Sequence, residues 1–272
     1  MLLDVNGARI AAETFGAADD PAVLLIMGAG ASMDWWEPEF CTRLAAAGRY
    51  VIRYDHRDTG ESESYPPGRP GYTSDELFGD AAGVLDALGV ARAHVVGMSA
   101  GGAMAQLLVI SAPARVRTLT LISTSGGVGD EDLPAGSYEP VPEPDWADRE
   151  AVVEYLVASQ RVAAARSRSF DDAAVREVAR VATARTTSPE SAAKNHYATE
   201  GGTESWRPKL AAITAPTLVL HGDEDPLFPL PHGEALAREI PAARLVVLAR
   251  TGHELPRENW PVVLRELIAH TA

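Results

Sequence analysis

Short apolar runs alternate with stretches of helical period along most of this chain. Val23–Met27, Tyr50–Tyr54, Ala93–Met98 and Val116–Ile122 are largely apolar and only a few residues long, the pattern of strands buried on both faces. Between them, 37–47, 75–88 and 100–111 carry apolar residues at helical spacing. Ser74 is placed to cap the second of these helices and Gly89 to end it. The opening differs: Leu2–Val5 and Arg9–Phe15 flank Asn6-Gly7, which predicts a tight hairpin at the sheet edge.

The alternation stops after the sixth strand. From Gly126 to about Pro208 no strand pattern occurs. Pro134, Pro140, Pro142 and Pro144 form a stiff entry, and three helical patterns follow at 148–164, 171–184 and 189–198. Ser188 is the N-cap of the last, with Pro189 at its first position. The earlier rhythm then returns, with strands at 217–221 and 244–248 and helices at 232–240 and 260–270. The prediction is an α/β fold, a mostly parallel eight-stranded sheet flanked by helices. Residues 1–126 and 208–272 form this core. Residues 127–207 form an all-helical insertion between strands six and seven, in the position of a lid.

Composition narrows the classes. A chain of 272 residues, 46% hydrophobic and 23% charged, fits one large globular domain and not a disordered segment. No apolar run approaches the roughly 18 residues of a membrane span. The first residues lack the basic-then-apolar order of a secretory leader, so a cytoplasmic location is expected. Cys41 is the only cysteine, which excludes an internal disulfide or a cysteine metal cluster and fits a reducing compartment. Against 38 acidic residues stand 24 basic ones, a net charge of −14. Neither nucleic acid nor an anionic membrane is therefore an expected partner. Lys194 and Lys209 are the only lysines, a bias expected of a GC-rich bacterial genome.

Gly97-Met98-Ser99-Ala100-Gly101 matches G-x-S-x-G. The motif alone arises by chance. Here it directly follows an apolar strand and directly precedes a helix, the setting of a nucleophile elbow. A serine hydroxyl needs a base. Of seven histidines, His94 lies within a strand, His56 in a polar turn, His196 in the insertion, His221 at a strand end, His232 at a helix start and His270 in the C-terminal tail. His253 follows the last strand on a glycine-containing loop, at the same carboxyl edge as Ser99. The base needs an orienting acid. The loop after strand six, Ser123–Gly127, has no carboxylate, whereas Asp223-Glu224-Asp225-Pro226 follows strand seven. Pro226 biases Asp225 to an extended backbone, so Asp225 is preferred. Asp223 is the alternative, with turn capping as its other role.

The order Ser99, Asp225, His253 is that of an α/β-hydrolase. An oxyanion hole would combine the Ala100 N–H with one from Met27-Gly28-Ala29-Gly30-Ala31. Gly28, Trp35 and Tyr138 are candidate substrate-binding residues. Trp35 and Trp36 either line the site or pack its loop. Tyr138, Trp146, Tyr155, Leu156 and Trp206 serve either the core of the insertion or its cavity wall. The run Asp55–Ser62 reads as a structural, charge-rich turn. No close His/Asp spacing suggests a metal, and no cofactor is called for.

These motifs together resemble the α/β-hydrolase fold superfamily over nearly the whole chain. Arg53-Tyr54-Asp55-His56-Arg57-Asp58-Thr59-Gly60, Met27-Gly28-Ala29, His94–Ser99, Pro216-Thr217-Leu218-Val219 with Asp225-Pro226, and Gly252-His253 carry the likeness. The combination is most similar to aclacinomycin methylesterase-type enzymes, which hydrolyse a methyl ester on a polyketide scaffold. Met27 stands where the wider family has the histidine of a His-Gly pair, and Ala100-Gly101-Gly102 after the serine departs from the methylesterases. The resemblance implies that Ala29 supplies the second oxyanion N–H. The expected activity is cofactor-free hydrolysis of a small, largely apolar carboxylic ester through an acyl-enzyme. Lactonase, C–C bond hydrolase, thioesterase and cofactor-free perhydrolase readings keep the same three residues. A ligand-binding sensor with vestigial catalysis is the alternative from another class.

Overall fold

Asn6 and Gly7 turn the chain with φ of 47° and 79°, the left-handed pair that a tight hairpin needs. They join β1 (Leu2–Val5) to β2 (Ala8–Phe15), paired antiparallel with Leu3 opposite Ile10. The remaining strands are β3 (Ala22–Ile26), β4 (Tyr50–Tyr54), β5 (Ala93–Met98), β6 (Val116–Ile122), β7 (Thr217–Gly222) and β8 (Arg244–Leu248). They complete one eight-stranded sheet in the order β1-β2-β4-β3-β5-β6-β7-β8. β2 meets β4 antiparallel, and every pairing from β4 to β8 is parallel. This computed structural model describes all residues except Val128, Gly129 and Thr203. Those three belong to the 127–207 segment assigned to the insertion and lie outside the described residues.

The helices are α1 (Pro38–Ala45), α2 (Ser74–Ala87), α3 (Ala100–Ser111), α4 (Arg149–Ala163), α5 (Asp172–Arg185), α6 (Pro189–Lys194), α7 (Pro231–Glu239) and α8 (Trp260–His270). Strand periodicity divides the core into two layers. Val23 and Leu25 pack with Phe40 and Leu44 of α1 and Trp260 and Leu267 of α8. Leu24 and Ile26 face the other way, onto Leu77 and Val84 of α2, Ala105 of α3 and Leu236 of α7. Each such large side chain removed from water contributes about 1.5–3 kcal/mol. That gain on both faces of β3–β7 fixes the sheet and the edge from which the site loops leave.

Some local details differ from the sequence reading. The cap of α2 is Thr73, not Ser74. Thr73 Oγ1 accepts the Glu76 N–H, and the Glu76 carboxylate accepts the Thr73 N–H. That reciprocal box requires Glu three residues on, which Ser74 lacks. β3 ends at Ile26, leaving Met27 in the following loop. The third helix after β6 ends at Lys194 and passes into a 3-10 turn at Asn195–Tyr197. Trp206 belongs to neither the insertion's core nor its cavity wall. It packs into the sheet core and donates its indole N–H to Gln106 Oε1 at 3.1 Å.

Between β6 and β7 the described residues form α4, α5 and α6 and no strand. α4 and α5 pack through Val153, Val157 and Ala179. Arg185, closing α5, reaches Asp34 at 2.6 Å and Asp55 at 2.8 Å, tying the segment to the core. Among the described residues no helix is long and apolar enough to cross a membrane.

Candidate active site

The path from β5 into α3 bends so sharply that Ser99 adopts φ 54° and ψ −124°, a conformation an L residue holds only when its surroundings impose it. Two glycines impose it. A Cβ on Gly97 would lie 2.1 Å from the Gly101 carbonyl oxygen, and one on Gly101 would lie 2.3 Å from that of Ile26. The Ser99 N–H donates to Ile122 O at 3.0 Å, and Thr124 Oγ1 donates to Ser99 O at 2.7 Å. The serine backbone is therefore pinned while its hydroxyl stands at the carboxyl edge of the sheet.

Beyond β7, the chain runs through Asp223-Glu224-Asp225-Pro226. Asp225 is buried, with no part of its carboxylate side chain exposed. Its Oδ1 accepts the N–H groups of Leu227 and Phe228, both at 2.9 Å, and its Oδ2 lies 2.9 Å from His253 Nδ1. Burial alone would raise this carboxyl. The His253 hydrogen bond and charge outweigh that and hold it below the usual carboxylate range. An ionised Asp225 makes Nδ1 the protonated nitrogen and leaves the Nε2 lone pair free. Asp223 is exposed and accepts the Thr251 N–H at 3.3 Å, a turn-closing role. Of the two carboxylates considered from sequence, only Asp225 meets the histidine.

His253 is positioned from three sides. Its N–H donates to Ala163 O at the end of α4 at 2.7 Å, and its ring meets Phe228 with centroids 5.5 Å apart. The Glu254 carboxylate beside it accepts the Ala165 N–H and pairs with Arg168. Ser99 and His253 line one cavity of about 460 Å³. Ser99 Oγ makes no hydrogen bond to His253 among the described residues, and contacts of this kind tighten when substrate is bound.

The same cavity is lined by Gly28, Ala29, Trp35 and Tyr138. Gly28 lies so near the serine that an added Cβ would sit 3.2 Å from Ser99 Cβ. The N–H groups of Ala29 and of Ala100, the first residue of α3, have no hydrogen-bond partner among the described residues. Trp35 and Trp36 separate: Trp35 faces the cavity, while Trp36 is wholly buried against Phe40. Tyr138 is half-exposed at the cavity wall. Tyr155, Phe170 and Val175 from the α4–α5 region complete that wall. Of these, only Tyr155 was a sequence candidate, because which helical face turns inward depends on how α4 meets α5.

The polar turn after β4 is a buried scaffold. Arg57 grips Asp80 through Nε at 2.7 Å and Nη2 at 2.9 Å, Asp58 accepts the Tyr65 N–H at 2.7 Å, and Asp55 accepts the Met33 N–H at 2.8 Å. His56 is buried and His196 partly buried beneath the Met27–Ala31 loop, and loss of solvation pushes both pKa values down from 6.5 to about 4. His94 is a buried sheet residue facing Thr118. No group of three or more His, Cys, Asp or Glu among the described residues is arranged to hold a metal ion.

A family model described as alpha/beta hydrolase fold matches residues 21–259. Rhodomycin D methylesterase DauP of Streptomyces sp. (strain C5) is 36% identical over 95% of this chain and 93% of its own length. Rhodomycin D methylesterase DnrP of Streptomyces peucetius is 34% identical over the same shares. The solved enol-lactonase from Burkholderia xenovorans LB400 superposes with a TM-score of 0.77 over 99% of both chains at 24% identity, a likeness of fold.

Proposed function

Because this chain belongs to the alpha/beta hydrolase fold family, we propose that Ser99, His253 and Asp225 act together as its catalytic triad. It is a hydrolase of the esterase kind. In the proposed reaction, Ser99 Oγ attacks the ester carbonyl while His253 Nε2 takes its proton. Asp225 holds the tautomer and stabilises the imidazolium. The N–H groups of Ala29 and Ala100 receive the oxyanion, each donor being worth about 3 kcal/mol in the transition state. His253 then protonates the leaving alcohol. Water, activated by the same imidazole, releases the acid and restores Ser99 Oγ–H. No cofactor takes part in this scheme.

The observation that carries this reading is the 2.9 Å contact of a buried, ionised Asp225 with His253, whose ring lines a cavity together with Ser99 and Ala29. Residues 127–207 act as the lid over that cavity. Methyl or other short-alcohol esters of a compact, ring-bearing acid are the proposed substrates. A walled cavity of about 460 Å³ with Trp35, Tyr155 and Phe170 on its surface suits such apolar acyl groups. The rhodomycin D methylesterases, similar over nearly the whole chain, support the methyl ester.

The test compares kcat/KM for methyl, butyl and long-chain esters of one ring-bearing acid, alongside a triglyceride emulsion. The methyl ester should lead. Faster turnover of the emulsion would make the enzyme a lipase. A fluorophosphonate probe should label wild type and not Ser99→Ala. An unlabelled wild type would instead support a ligand-binding role.

A further inference from the structure

The Met27–Ala31 loop is neither helix nor strand; a single turn, closed by the Ala31 N–H on Gly28 O at 3.3 Å, is its only internal bond among the described residues, yet it carries the Ala29 amide. Two imidazoles hold its ends. His56 Nε2 donates to Met27 O at 2.9 Å, and the Gly30 N–H donates to His196 Nδ1 at 2.9 Å. His196 Nε2 donates in turn to Arg57 O at 2.8 Å. The two rings stand edge to face with centroids 5.6 Å apart. The backbone of α6 presses on the same point, since a Cβ on Gly30 would lie 2.9 Å from Ala192 O. His196 lies 166 residues beyond Gly30, within the segment between β6 and β7.

We propose that His196 is a positioning residue for the oxyanion hole, so that the helical insertion completes the transition-state site as well as covering it. The proposal rests on the reading that the Ala29 N–H receives the oxyanion. Acceptance at Nδ1 and donation from Nε2 require one neutral tautomer. Burial, which pushes this imidazole down to about 4, keeps it neutral across the working range. With Met27 O and Gly30 N–H both tethered, Gly28 and Ala29 cannot drift. If the insertion lifts, the Gly30–His196 bond breaks and the hole loosens with it. Turnover therefore requires the insertion to be seated.

The test uses the full chain with a methyl ester, measuring kcat and KM separately. His196→Ala should lower kcat about 10²-fold, the effect of a displaced or missing oxyanion donor, with KM within about threefold. Affinity for an aryl trifluoromethyl ketone, whose serine adduct carries the oxyanion, should fall by a similar factor, while affinity for the acid product stays constant. His196→Asn, whose amide oxygen reaches the Nδ1 position, should recover most of the loss. His196→Gln, which reaches toward the Nε2 position, should not. Wild-type kcat/KM in His196→Ala overturns the proposal. So does a loss matching only the unfolded fraction, with ketone affinity of the folded protein unchanged. If His196→Ala does not fold, equal activity of the Asn and Gln variants overturns it. Ser99→Ala separates the two levels: turnover there removes the serine-hydrolase reading itself, whereas a dead Ser99→Ala with unaffected His196 variants removes only the positioning role.

Discussion

Asp225→Asn is the substitution whose outcome the geometry specifies most closely. Asp225 Oδ1 accepts two backbone N–H groups at 2.9 Å each. The replacement amide must therefore put its oxygen there. The flipped orientation would aim an NH₂ at the Leu227 and Phe228 donors and leave both unsatisfied, at about 1–3 kcal/mol each. Thus held, the NH₂ faces His253 Nδ1, where Oδ2 now lies at 2.9 Å. Two donors cannot share that contact, so the imidazole proton moves to Nε2 and the lone pair that should receive the Ser99 proton is lost. A wrong tautomer of this kind lowers kcat about 10⁴-fold, equivalent to roughly 5 kcal/mol of barrier. Asp223→Asn keeps an oxygen for the Thr251 N–H at 3.3 Å and touches no imidazole. It should keep kcat and lose about 1 kcal/mol of stability or less. The assay is acid release from a methyl ester in a pH-stat, with Tm measured for both variants and ¹⁵N NMR reading the His253 tautomer. Activity of Asp225→Asn within tenfold of wild type, or a larger loss in Asp223→Asn, would refute the assignment.

Ser99→Ala and His253→Ala should each abolish turnover without unfolding the protein, and the double variant should be little worse, because members of the proposed triad would act as a unit; additive losses in kcat would contradict this. Gly101→Ala should cost both stability and activity: its Cβ would meet Ile26 O at 2.3 Å and Met27 O at 2.5 Å, an overpacking of about 1–3 kcal/mol that pushes directly on the loop carrying Ala29. A variant with wild-type Tm and kcat would show that the elbow does not need this close approach. Stability should fall with acid. His56 and His196 titrate near 4 when folded and near 6.5 when unfolded, so between those values the unfolded chain binds more protons. The stabilisation is complete above about pH 6.5 and is lost as pH falls to 4, by roughly 2–3 kcal/mol per ring. Urea unfolding at pH 7 and pH 4.5 measures it, and His196→Asn should remove part of the slope; a flat profile would mean that these rings are not buried neutral.

The sequence by itself determined the sheet and much of the placement of its chemistry. Apolar runs short enough for strands and bounded by helical period leave few alternatives to a parallel sheet. Asn6-Gly7 specifies its own hairpin because only such residues accept two left-handed conformations in succession. Ser99 is legible because the elbow is local: strand, turn and helix lie within a dozen residues, and the two glycines are demanded by contacts inside or next to that unit. His253 is legible as a residue on a strand-end loop. Between the two carboxylates of the next loop, Pro226 already favoured Asp225 over Asp223, and Asp225 is the one that meets His253; the contact itself depends on the direction that the turn gives each side chain. The cap of α2 likewise went to Thr73 through a reciprocal contact with Glu76.

Only the tertiary structure decided the division between Trp35 and Trp36, the inward course of Trp206 and the setting of His56 and His196. These depend on long-range packing. Adjacent tryptophans point to opposite sides of a short 3-10 turn, and Trp206 is claimed by the sheet core once the chain returns from the insertion. His196 reads as a solitary histidine in a helical segment, with no local partner to give it meaning. The two hydrogen-bond partners of its ring, Gly30 and Arg57, lie far away in the chain, on loops brought together only when β3 and β4 pair and the insertion folds back over them. A period or motif records contacts within one element. A bond between two loops joined by a closed fold leaves no trace in either segment, because each loop would read the same whichever residue it met.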